Sequence, residues 1–287
     1  VTENVSNLWL ERWLFYSLKA QMVSQILTNK QLSRLSQLQP STPFIIGISG
    51  AQGSGKSSLA AALQQLWSGF GVQAEVVSLD DYYLEPAQRL KRAGLWHPLF
   101  AERGVPGTHD TELLLSQLQG FKRAEPQCWR RYDKGQDKVA TATSATEARL
   151  LILEGWCLGL KPQSDTELQH SINELEQQQD PDVLWRHQVN QQLAGDYQLL
   201  WQELEQLIWL NAPDWQAVCR WRAWQEQPLQ LLGRGKSPAQ LEAFMLYFQR
   251  LTQESWRQLP QCADFILELD LQHHFIRLTP DEQVVDG

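Results

Sequence analysis

The residues best equipped for chemistry stand in one run, Gly50-Ala51-Gln52-Gly53-Ser54-Gly55-Lys56-Ser57, with Ser58 behind it. The run fits G-x-x-x-x-G-K-[ST] at every position, the spacing of a loop that grips phosphates. Glycines let the backbone wrap so that successive N–H groups face inward and solvate anionic oxygens. Lys56 has the reach for β- and γ-phosphates, and the Ser57 hydroxyl suits a place on Mg²⁺. A helix opening near Lys56 adds its positive end to the same point. A Gly/Ser turn could match by chance, but an apolar strand before it and an Ala/Leu-rich segment after it supply the context the motif requires.

Two more carboxylate groups follow apolar runs. Val77-Ser78-Leu79 leads into Asp80-Asp81-Tyr82-Tyr83, and Leu150-Leu151-Ile152-Leu153 into Glu154-Gly155-Trp156. In open α/β sheets the ligand crevice lies off the carboxyl ends of the strands. An acid delivered there can accept the proton of a hydroxyl that attacks a γ-phosphoryl group. Glu154 can hold Mg²⁺, which keeps much of its hydration shell. The alternative for Asp80 and Asp81 is a helix cap or a solvated turn.

These residues need strands to carry them. Phe44–Ile48, Ala74–Leu79, Leu150–Leu153, Leu207–Leu210 and Phe265–Leu269 are short and almost continuously apolar, as strands covered on both faces are. Helical patterns at Ser58–Gly69 and Asp110–Phe121 lie between them. The alternation predicts an α/β fold with a mostly parallel sheet covered by helices on both faces. Residues 7–39 place apolar side chains every three to four positions and predict an N-terminal helical segment, ended by the breaker run Gln39–Pro43. The Gln/Glu-rich stretch Asp165–Glu205 carries Trp185, Val189, Leu193, Tyr197, Leu200 and Leu204 at helical spacing, and predicts a helical insertion.

Bulk properties narrow the partners. A net charge of −8 over 287 residues argues against a surface that coats nucleic acid, which needs clustered Lys and Arg. No apolar stretch approaches the roughly 18 residues of a membrane span. No secretory signal is expected, and four scattered cysteines suit free thiols in a reducing cytoplasm.

Taken in order, GISGAQGSGKSS, SLDDYYL and LILEGW resemble the phosphoribulokinase/uridine kinase/pantothenate kinase group of P-loop kinases. HPLFAERGVPGTHD (97–110), RYDK (131–134) and EGWCLGLKP (154–162) resemble, more narrowly, the D-glycerate 3-kinase-like family. The resemblance covers about residues 44–270 and implies a P-loop NTPase fold that transfers the γ-phosphate of ATP to a small hydroxylated metabolite. It implies Lys56 and Ser57 at the phosphates and metal, Asp80 as base, and Glu154 at the metal. Asp81, Tyr83, Thr108, His109 and Asp110 fall on the acceptor side. Arg103 and Arg131 could pair with a substrate carboxylate, for which the guanidinium fork is apt. A basic lid follows the fourth strand in this group, and Arg220 and Arg222 resemble its cations. Two such positions point in different directions on a helix, so at most one reaches the phosphate; Arg220 is taken as the catalytic one. The competing reading is that His109 and Asp110 start the next helix and Arg131 sits in a surface ion pair.

The chain is thus divided into a lead-in, 1–43, and a P-loop kinase domain, 44–287, with its insertion at about 165–205 and its lid at about 215–236. ATP and Mg²⁺ are the expected cofactors. The expected partner is a small hydroxylated substrate, with carboxylated compounds such as D-glycerate among the candidates. Two alternatives stand beside it: a regulatory or assembly ATPase acting on a protein partner, and a kinase for a nucleoside or pantothenate-like acceptor.

Overall fold

The computed structural model describes residues 43–69, 71–231, 233 and 235–279. The helical lead-in expected over 7–39 lies outside them. Strand β1 (Phe44–Gly50) is the centre of a six-stranded sheet. It is flanked by β5 (Leu150–Gly155) and β6 (Gln206–Asn211); β2 (Ala74–Ser78) lies beyond β5, and β7 (Phe265–Leu269) and β8 (Phe275–Thr279) beyond β6. All neighbours pair in parallel except β7 and β8, which are antiparallel. The edge strand β8, with Ile276 exposed, was not anticipated, nor was the hairpin of β3 (Arg131–Asp133) and β4 (Lys138–Ala140), which stands apart from the sheet. Both are short and half polar, so neither has the apolar run that marks the central strands.

Continuous apolar strands feed two cores because alternate side chains leave opposite faces. Ile45, Leu151, Leu153 and Trp209 pack with Phe100, Leu114, Leu118 and Tyr197. Ile46, Ile48, Ile152 and Ile208 pack on the other face with Leu59, Leu63 and Trp67 of α1 (Lys56–Gly69) and with Ala217, Val218 and Trp221 of α8 (Trp215–Leu231). The first face is covered by α3 (Thr111–Lys122), α6 (Leu184–Ala194) and α7 (Asp196–Gln202), while α2 (Pro86–Leu95) runs at the periphery with Leu90 and Leu95 exposed. The long α9 (Pro238–Gln258) starts from a capping box of Ser237 and Gln240 and reaches both cores.

The Gln/Glu-rich stretch folds into α4 (Asp165–Leu168), α5 (Glu174–Gln179), α6 and α7. It is held to the body by the core residues Trp185, Val189, Leu193, Tyr197 and Leu200 and by buried ion pairs. Glu176, fully buried, accepts two hydrogen bonds from the Arg250 guanidinium of α9 at 2.7 and 2.6 Å. Arg250 also donates to the His170 carbonyl at 2.6 Å. Asp180 accepts from Arg186 Nε at 2.9 Å and caps the first turn of α6 through the Trp185 N–H. Such bidentate pairs are strong and directional. The described cysteines are free, and among the described residues no helix is long and apolar enough to cross a membrane.

Breaking a buried pair from one side leaves an uncompensated charge. Arg250→Met is expected to cost about 3–5 kcal/mol and to lower the melting temperature by roughly 10 °C. The double variant Arg250→Met/Glu176→Leu should recover part of that loss. Thermal melts of wild type and both variants check this; unchanged melting in Arg250→Met would show that the pair contributes nothing.

Candidate active site

Register brings the three groups together. Ile48 of β1 and Ser78 of β2 both lie opposite Glu154 of β5, so the strands end at one level and discharge their loops on one side. The phosphate loop follows β1, and its last residues open α1. Gly53 has φ +76°, and an added Cβ would lie 2.9 Å from the Arg222 backbone nitrogen on α8. The loop therefore needs glycine there both for its left-handed turn and for contact with α8. Gly50, Ala51 and Ser54 build the turn, while Gln52, Gly53, Gly55, Lys56, Ser57 and Ser58 line a cleft of about 1320 Å³.

Lys56 Nζ donates to the Ala51 carbonyl at 3.0 Å. Burial pulls its ammonium below the ordinary value, and the charges of Glu154 and Asp80 oppose that pull. Ser57 Oγ donates to Glu154 Oε1 at 3.1 Å, and Glu154 is 7% exposed. A hydroxyl and a carboxylate side by side are the hard oxygen donors Mg²⁺ takes. Among the described residues no cluster of three or more His, Cys, Asp or Glu is suited to a metal.

Asp80 and Asp81 sit in a 3₁₀ turn, Leu79–Tyr82, and divide their work. Asp80 lines the cleft. Its Oδ1 accepts the Tyr83 hydroxyl at 2.9 Å and its Oδ2 the Lys134 ammonium at 2.6 Å. Burial alone would raise its pKa, but the Lys134 charge and hydrogen bond, with smaller help from His109 and Tyr83, hold the carboxyl well below the usual range. Asp81 turns away: it accepts from Arg131 at 2.9 Å and from the Tyr132 N–H at 3.1 Å, tying β3 to the turn that bears Asp80.

Several expected acceptor residues have partners within the protein. Asp81 and Arg131 are each other's partners and neither lines the cleft. Arg103 does line it, but its guanidinium is held by Asp137 and the Lys134 carbonyl. Thr108 is fully buried and closes its own loop, donating to the Val105 carbonyl at 2.7 Å and accepting from the Gly104 N–H. Asp110 caps α3 through the Leu113 N–H and pairs with Arg130, the helix-start alternative. His109 is buried, stacked on Tyr83 with ring centroids 4.6 Å apart, and bonded to the Tyr197 hydroxyl at 2.6 Å. Burial pushes its pKa down to about 3, so the ring is neutral. Arg220 is exposed on α8, whereas Arg222 lines the cleft and pairs with Glu226. The insertion supplies none of the cleft's lining; it buttresses the loop, Tyr197 Oη accepting the Gly107 N–H.

Residues that sequence reasoning did not rank complete the walls. Trp156 donates its indole N–H to the Gly104 carbonyl at 3.0 Å and meets the edge of Phe248 at 4.9 Å between centroids. A Cβ at Gly104, whose φ is +142°, would lie 2.5 Å from the Phe248 ring, so this glycine lets the wall close. Lys236 sits over the Phe244 ring at 4.6 Å. Trp156 was signalled by its place after Glu154; the α9 aromatics read as ordinary core spacing.

Known proteins are similar to the chain in sequence and fold. The model of the KAP family P-loop domain matches residues 20–192, ending within α6. The uncharacterized kinase mug58 of Schizosaccharomyces pombe is 33% identical over 224 residues, 72% of this chain and 78% of that protein. A chloroplastic D-glycerate 3-kinase of Arabidopsis thaliana is 30% identical over 134 residues, 42% of this chain and 29% of that protein. The solved structure of the YGR205w protein superposes with a TM-score of 0.72 at 25% identity, covering 90% of this chain and 96% of that one. The chain belongs to the KAP family P-loop domain proteins, and the relative mug58, which it matches along most of its length, is a kinase.

Proposed function

We propose that this P-loop kinase transfers the γ-phosphate of ATP to a hydroxyl of a small metabolite, with D-glycerate the first acceptor to test. The observation that carries the reading is the sharing of one cleft by Lys56, Asp80 and Glu154. A kinase needs a cation at the transferred group, a proton acceptor beside it and an acid at the metal.

In this reading the loop N–H groups and Lys56 hold the phosphates and offset the charge that builds on them. Ser57 and Glu154 would hold Mg²⁺, which neutralises phosphate oxygens when bound. Asp80 takes the proton of the acceptor hydroxyl. The oxygen so released forms its bond to the γ-phosphorus as the bond to the bridging oxygen breaks, and ADP leaves. Arg222, not Arg220, is the lid cation, because it faces the cleft from the helix that packs on Gly53. The helix and the aromatic walls keep out water, which competes as acceptor.

Initial rates of ADP formation with MgATP and a panel of hydroxylated metabolites test this. Asp80→Asn should lower kcat on the accepted compound by about 10²–10⁴-fold while nucleotide affinity stays within about threefold; full turnover in that variant removes Asp80 as base. ATPase activity that needs a protein partner, with no metabolite phosphorylated, would overturn the whole reading. A second comparison separates the lid arginines. Arg222→Met should lower kcat by about 10²–10³-fold, whereas Arg220→Met should stay within about twofold of wild type; the reverse order would return the role to Arg220.

A further inference from the structure

Both oxygens of Asp80 are occupied by protein donors, Tyr83 at 2.9 Å and Lys134 at 2.6 Å. Each oxygen keeps a second lone pair, so a hydroxyl can approach beside these donors, but the ammonium at 2.6 Å competes for the same negative charge and weakens the carboxylate as a proton acceptor while it stays. Tyr83 is 4% exposed, stacked on His109 and edge-on to Tyr132, so it has no room to leave. Lys134 differs. Its side chain is 54% exposed, on a flexible four-carbon stem.

Its backbone is fixed while its side chain is free to swing. The turn between β3 and β4 is clamped at Asp137, which takes Arg89 at 2.6 Å, the Tyr132 hydroxyl at 2.8 Å, and Arg103. Arg103 also holds the Lys134 carbonyl at 3.1 Å, and Asp133 accepts the Gly135 and Gln136 N–H groups. The turn therefore delivers the root of the Lys134 side chain beside Asp80. The other cations lining the cleft have different engagements: Arg103 with Asp137, Arg222 with Glu226, Lys56 in the phosphate loop and Lys236 over Phe244.

We propose that Lys134 is the specificity-determining residue of this cleft: its ammonium covers Asp80 until the anionic group of a hydroxy acid draws it away, so the base is released only to an acceptor that brings its own negative charge. The inference rests on the kinase reading above and assigns it a gate. An anionic acceptor exchanges one carboxylate–ammonium contact for another, at little net cost. A neutral polyol leaves the displaced ammonium only water as a partner, without the charge an acid brings.

The test compares D-glycerate with glycerol, compounds of one carbon count that differ in charge, on wild type, Lys134→Met and Lys134→Arg. In Lys134→Met the KM for D-glycerate should rise about 10- to 100-fold, the loss of one hydrogen bond between charged groups. Turnover of glycerol should rise several-fold in the same variant, because Asp80 is uncovered. Lys134→Arg should keep the preference for the acid. Both acceptors slowing together, or neither changing, overturns the gate, since a structural lysine would not move them in opposite directions. Wild type that phosphorylates glycerol as well as D-glycerate overturns the gate and leaves the kinase reading standing. Wild type that phosphorylates no hydroxylated compound overturns both.

Discussion

The parallel register of β1 with β5 and β2 is the constraint from which the site follows. Side chains alternate along a strand, so a slip of one residue would turn Glu154 into the core and Leu153 toward the adjoining loops. That slip is resisted from both faces. Ile46, Ile48 and Ile152 are buried against α1 and α8, and Ile45, Leu151 and Leu153 against the opposite helices. Hydrophobic burial on two sides thereby holds an acid, a hydroxyl and a lysine at one end of the sheet.

A second layer is built from charge. Asp81 looks away from the cleft and anchors the hairpin whose turn presents Lys134 to Asp80. Asp137 gathers Arg89, Arg103 and Tyr132 under the same turn. Glu176 and Asp180 do the like for the insertion, which in turn steadies the loop after Gly104 through Tyr197. Buried pairs are costly to desolvate and give little net stability against apolar substitutes, but their directionality favours one docking geometry over sliding alternatives.

Burial shapes the proton chemistry as well. His109 lies deep enough to be neutral, so it packs against Tyr83 as a ring rather than acting as a cation. Asp80 is only partly buried, and it stays ionised because Lys134 and its other neighbours together outweigh desolvation. The same low-dielectric setting thus leaves one group uncharged and the other charged, according to whether a counter-ion is within reach.

Much of this was readable along the chain. The phosphate loop is a contiguous motif whose conformation is set by its own glycines, and the strands before Asp80 and Glu154 announce themselves by unbroken apolar runs. Ser237 and Pro238 mark the start of α9 by local capping chemistry. The pairings were not readable. Lys134 lies 54 positions from Asp80, and Arg250 lies 74 from Glu176. No local pattern says which of many charged side chains will meet across such a span. Arg220 and Arg222 look alike in sequence, and only the rotation of α8 against Gly53 turns one to the cleft and the other to solvent. Short-range backbone preference and hydrophobic period are written residue by residue; the choice of ionic partners waits on how the packed elements orient their faces.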